Sequence, residues 1–144
     1  MRNITKSFTS ALIFISNLAL ANPVHTWHHV STTEGVWDAR LQMINEGGMF
    51  VTKDGSTLTD FTVTSSTPME YGFAFDEGDD FNVAYTLTLT QRDTGVFRRF
   101  SNKACVFVIT AAGPAQPDIH ASNYNGAKCS WKVVKGYGED FFTT

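Results

Sequence analysis

Basic residues, cysteines and long apolar runs are all scarce in this chain, and each scarcity removes a class of function. Lys and Arg number 11 in 144 residues, against 14 Asp and Glu. Affinity for nucleic acid rests on neutralising phosphates with Lys and Arg, so the balance argues against that partner, and it gives no pull toward anionic membrane surfaces. After residue 21 no apolar stretch approaches the ~20 residues that span a bilayer as a helix. Gly-x-Ser-x-Gly, His-Glu-x-x-His, Cys-x-x-Cys and the EF-hand spacing are all missing. No motif therefore specifies an acyl-transfer nucleophile, a catalytic zinc, a zinc ribbon or a calcium loop. There is no internal repeat, low-complexity tract or interdomain linker, and the length suits one domain.

What is present begins with an address. Arg2 and Lys6 form a short basic region, followed by apolar residues 11–15 and 18–20, interrupted only by Ser16 and Asn17. Ala19-Leu20-Ala21 supplies the small-x-small pattern of signal-peptidase cleavage. Residues 1–21 are thus expected to be a signal helix that is removed, leaving 22–144 as a single domain. No cysteine stands at the cleavage site to take a lipid, so no membrane insertion is expected after cleavage. Losing Arg2 and Lys6 leaves a net charge of −5. The two cysteines, Cys105 and Cys129, both belong to this part. An even count in an exported chain favours a disulfide. It would close a loop of 25 residues, which chain entropy values at about 3.5 kcal/mol before any strain.

The remainder reads as strands and turns. In 81–90, Phe81, Val83, Tyr85, Leu87 and Leu89 alternate with Asn82, Ala84, Thr86, Thr88 and Thr90, the period of a half-buried strand. Tyr71, Phe73 and Phe75 alternate likewise, so 70–90 is expected to be a hairpin turning at Asp76-Glu77-Gly78-Asp79-Asp80. Lys53-Asp54-Gly55-Ser56 has the Asp-Gly pair of a type I′ turn joining Met49–Thr52 to 57–64. Asp93-Thr94-Gly95 turns the chain into 96–100. Residues 36–44 fit a helix or a strand, and the cleaner polar face favours the strand. Cys105, Phe107 and Ile109 share one face, as do Cys129, Trp131 and Val133, which suits a buried bridge beside Trp131. Phe141-Phe142 belongs to a last strand or a tail packed back on the domain. Residues 111–127, with Pro114, Pro117 and an Asn/Gly cluster, read as a long loop tied at its base by the disulfide. About eight short strands predict an all-β, antiparallel β-sandwich, immunoglobulin-like as the first choice. The cysteine–tryptophan–cysteine order of antibody domains is absent, since Trp131 follows the second cysteine.

Candidate chemistry is thin. His25, His28 and His29 gather at the mature N-terminus, and imidazoles ligate copper, zinc and nickel. Pro23, second in the mature chain, has no amide proton to lose and blocks an N-terminal copper chelate. Asp76, Asp79 and Asp80 offer oxygens to calcium, but a solvated turn explains them as well. Asp118 and His120 lie close enough to enter a catalytic trio on paper. Trp27, Tyr124 and Tyr137 could stack on sugars or anchor a partner, if they are not packed in the core. Arg98 and Arg99 read as a solvated strand face.

The expectation is a secreted or periplasmic, non-enzymatic binding module without a cofactor, meeting a protein or a glycan through 111–127. Pro117, Asp118, His120, Asn123, Tyr124 and Asn125 are its candidate contacts. The alternatives are a small hydrolase or metal-binding protein using His25, His28, His29 or His120, and a structural subunit that acts by assembly. N-terminal sequencing of the exported protein should begin at Asn22; a chain that retains Met1 would reject the signal assignment.

Overall fold

A computed structural model describes residues 27–45, 48–74, 82–92, 102–112, 116–134 and 139–144. Residues 1–21, expected as a signal segment, His25, Asp76, Asp79, Asp80, the turn expected at 93–95, Arg98, Arg99 and Tyr137 lie outside them. Among the described residues there are ten strands and no helix: β1 (Trp27–Ser31), β2 (Val36–Met43), β3 (Met49–Val51), β4 (Asp60–Thr64), β5 (Met69–Ala74), β6 (Asn82–Gln91), β7 (Ala104–Ala112), β8 (Asp118–Tyr124), β9 (Ser130–Val134) and β10 (Glu139–Thr143). They form two five-stranded sheets, β3-β5-β1-β10-β9 (sheet 1) and β4-β2-β6-β7-β8 (sheet 2). Every pairing is antiparallel except β1 with β10, where Trp27–Ser31 runs parallel to Glu139–Thr143.

Period-two patterning puts one face of each strand in the core. On β6, Val83, Tyr85, Leu87 and Leu89 are buried while Thr86, Thr88 and Thr90 line the outer face. On β2, Trp37, Ala39 and Leu41 point inward, so 36–43 takes the strand alternative. Sheet 1 contributes Val30, Phe50, Tyr71, Phe73 and Phe142. Rings interlock across the gap: Phe107 meets Phe142 edge-on at 4.9 Å and Phe73 stacks with Tyr85 at 6.3 Å. Three polar side chains inside this core meet in a small network. The Tyr71 and Tyr85 hydroxyls are 3.0 Å apart, Tyr85 Oη lies 3.3 Å from His28 Nε2, and the His28 ring stacks on Tyr71 at 4.7 Å.

Three sequence expectations are corrected. First, β5 and β6 do not form a hairpin; they belong to opposite sheets. Alternation specifies which face is buried, not which strand is the neighbour. Second, residues 52–56 do turn, with Gly55 N–H donating to the Thr52 carbonyl (2.9 Å) and Thr52 N–H to that of Ser56 (2.9 Å). Only Gly55 has positive φ (87°), which is not the type I′ pair, and after one bridge at Thr57 the chain leaves for sheet 2 as β4. Third, the segment expected as a long loop is mostly strand. Residues 118–124 pair with β7 along their whole length, and Ile119 reaches the core. The turn chemistry is confined to its end, where Asn125 (φ 55°) and Gly126 (φ 78°) form a tight turn closed by Ala127 N–H on the Tyr124 carbonyl at 3.1 Å.

The disulfide joins Cys105 and Cys129, with Cα atoms 5.7 Å apart. Cys105 is fully buried in β7 and Cys129 leads into β9, so the bond ties sheet 2 to sheet 1, and the segment it closes includes strand β8. Trp131 does not cover it as expected, remaining 44% exposed. Replacing both cysteines by Ala should lower the free energy of urea unfolding by about 3 kcal/mol, with the strand content of the folded protein unchanged. A loss near zero would mean that the bridge adds nothing to what packing already holds.

Candidate functional site

Among the described residues, polar side chains gather around a hollow on the outer face of sheet 1. Alternation along β1 turns Trp27 and His29 outward and buries His28 and Val30. In the antiparallel β1–β5 register His29 stands opposite Glu70, and Trp27 stands opposite Gly72, which has no side chain to cover the indole. His29 Nδ1 is 2.9 Å from Glu70 Oε1. The turn after β3 brings Lys53 to the other carboxylate oxygen, Oε2, and places its ammonium 5.6 Å from the centre of the Trp27 ring. Thr52, Pro68 and Met69 complete the walls of an open hollow of about 330 Å³ with His29, Lys53 and Glu70.

The electrostatics follow from these contacts. The Lys53 ammonium beside Glu70 holds its carboxyl below the usual carboxylate range, with His29 acting in the same direction and partial burial opposing. Asp54, in the turn that carries Lys53, is held down to about 2 by the Thr52 hydroxyl and then by the Ser56 N–H, which donates to it at 3.0 Å. These bonds fix the turn from which Lys53 reaches out.

The residues singled out from sequence are dispersed. His28 is buried in the core with Tyr71 and Tyr85, unsuited to meet a metal from solvent. His120 and Asp118 pair at 3.1 Å on the outer face of β8, in the other sheet, and both are largely exposed. Tyr124 is 51% exposed at the end of the same strand. The Asn123 amide donates to the Ala127 carbonyl (3.2 Å) and the Asn125 amide to the Asn102 carbonyl (2.9 Å), so both brace the turn. Pro117 precedes β8, half-buried. Among the described residues, no three or more of His, Cys, Asp and Glu gather as metal ligands would. Thr52, Lys53 and Glu70 were not among the sequence candidates. Glu70 alternates with Tyr71 and Phe73, so its outward direction was readable, but its partner across the ladder was not.

Because Glu70 has a lower pKa in the fold than in the unfolded chain, its contribution is complete above the ordinary value of 4.5 and fades as pH falls through the folded value. Glu70→Gln should therefore lower stability by about 0.5 kcal/mol at neutral pH. The gap should narrow as the pH is lowered below 4.5, as read by urea titration at neutral and at acid pH. A gap that widens on acidification would contradict this assignment.

No protein-family model matches the chain, and no curated protein sequence matches it. Among solved structures it is similar to that described as the crystal structure of RahU protein in complex with TRIS molecule. The TM-score is 0.52 at 10% identity, over 84% of this chain and 95% of that one. At that identity the likeness is one of fold, and it supports the all-β sandwich described above.

Proposed function

We propose that this protein is an exported, non-enzymatic binding module, and that the hollow on sheet 1 takes a small glycan. The observation that carries the reading is the chain Trp27–Lys53–Glu70–His29, of which Lys53, Glu70 and His29 line one open cavity and Trp27 lies beside Lys53. An indole face suits the C–H surface of a sugar ring, while a fixed carboxylate, an imidazole and an ammonium suit its hydroxyls. Binding rather than catalysis is supported by the engagement of Thr52, a hydroxyl on the wall of the hollow. Thr52 Oγ1 bonds to Asp54 and to the Ser56 carbonyl, which holds it within its own turn. The signal-like residues 1–21 and the disulfide support export to the periplasm or beyond the cell.

A protein partner that meets Asp118, His120 and Tyr124 is the second reading, favoured by the exposure of Tyr124. The immunoglobulin-like subtype has the inter-sheet disulfide in its favour; the strand orders differ from the ABED and CFG sheets of that fold.

The test is a glycan-array screen of the mature chain, followed by calorimetry on the best ligand. Trp27→Ala and Glu70→Gln should each weaken binding by about tenfold or more, with unchanged circular dichroism. Tyr124→Ala should bind as the parent does. A ligand that ignores the first two changes and is lost with the third would move the site to β8.

A further inference from the structure

Two lysines stand apart from the other described cations. Arg40, Lys53, Arg92 and Lys103 each pair with a carboxylate, from Asp60, Glu70, Asp38 and Glu34. Lys128 and Lys132 are exposed and have no such partner among the described residues. In a domain whose mature part carries a net charge of −5, they form a local basic patch at one place, the entry into β9 and its middle.

That place is an open sheet edge. β9 is the terminal strand of sheet 1, paired with β10 on its inner side, and no described strand pairs with its outer side. Such an edge presents unpaired N–H and C=O groups, and proteins commonly guard it. Here β3 is only three residues long, β4 carries Asp60, and β8 carries Asp118 and His120. β9 instead shows Trp131, 44% exposed, with half-buried Val133 and Val134 and the single charge of Lys132. Like-charge juxtaposition of Lys132 with its copy disfavours edge-to-edge pairing of two such chains. It offers no defence against a strand of opposite charge.

Alternation then specifies the occupant. Trp131 and Val133 share the face that carries Cys129, and Lys132 points to the other. A strand laid beside β9 meets apolar surface with every second residue and an ammonium with the residues between. We propose that the outer edge of β9 accepts an extended segment of a protein partner with alternating acidic and apolar residues. Its backbone pairs with Ser130–Val134, its apolar side chains cover Trp131, and its carboxylates meet Lys128 and Lys132. This surface is independent of the glycan hollow, which is built from β1, β5 and the turn after β3.

The test is an NMR titration of the ¹⁵N-labelled mature chain with a blocked hexapeptide of alternating Glu and Val. Controls are the alternating Lys and Val peptide and a Glu/Val peptide interrupted by Pro. Amide shifts should concentrate at Ser130–Val134 and the Trp131 indole. Affinity should fall by about tenfold or more with Lys128→Glu/Lys132→Glu and with added salt. Neither control should bind. Shifts spread elsewhere, equal binding by the Lys peptide, or silence at millimolar peptide would each overturn the proposal. So would a dimer in sedimentation that Trp131→Ala dissolves, which would give the edge to a second copy.

Discussion

The hydroxyl of Tyr85 governs more of this molecule than its size suggests. It stands in the middle of β6, buried between the sheets, and reaches both Tyr71 on β5 and His28 on β1. Two strands of sheet 1 are thereby referenced to one residue of sheet 2. An unpartnered buried hydroxyl or imidazole would cost on the order of 1–3 kcal/mol, so alternative registers of β1 are disfavoured. A shift of one residue would also send Trp27 and His29 into the core and His28 to solvent.

That constraint is what ties the interior to the outer surface. With His28 fixed inward, its neighbours on both sides must face out, and Trp27 and His29 fall opposite Gly72 and Glu70. The proposed hollow thus follows from core packing on one strand and from the hydrogen bonds of a short turn that delivers Lys53. The outer face of sheet 2 is of a different kind. Thr86, Thr88 and Thr90 are framed by exposed ion pairs such as Arg40 with Asp60, and such pairs contribute little to stability.

What could be read from residues alone follows the range of each signal. Strand period is local, and the inward faces of 83–89, 105–109 and 37–41 were legible from alternation. The cysteine pair was legible by counting. Sheet membership was not, because nothing in Phe73 or Tyr85 says whether its strand pairs with the next one or crosses the sandwich. The 111–127 segment misled for a related reason. Its prolines and its Asn-Gly turn lie toward the two ends, and the stretch between them, Asp118–Tyr124, is short, with only Ile119 fully buried. The site was half visible: Trp27 and His29 were singled out, whereas Lys53 and Glu70 are 26 and 43 positions away from Trp27. Only the ladder brings them together.

The parallel pairing of β1 with β10 sets an order of events. Sheet 2 draws only on residues 36–124 and can in principle assemble once that span has formed. Sheet 1 places the earliest described strand at its centre and needs the segment 139–143 on one side of it. Until residues 139–143 leave the ribosome, β1 has a described neighbour on one side only, and the apolar face of sheet 2 lacks Phe142 from its cover. Contacts of such long sequence separation make folding slow. A sandwich that closes only when β10 has been made stays open on one side while the other described strands are synthesised.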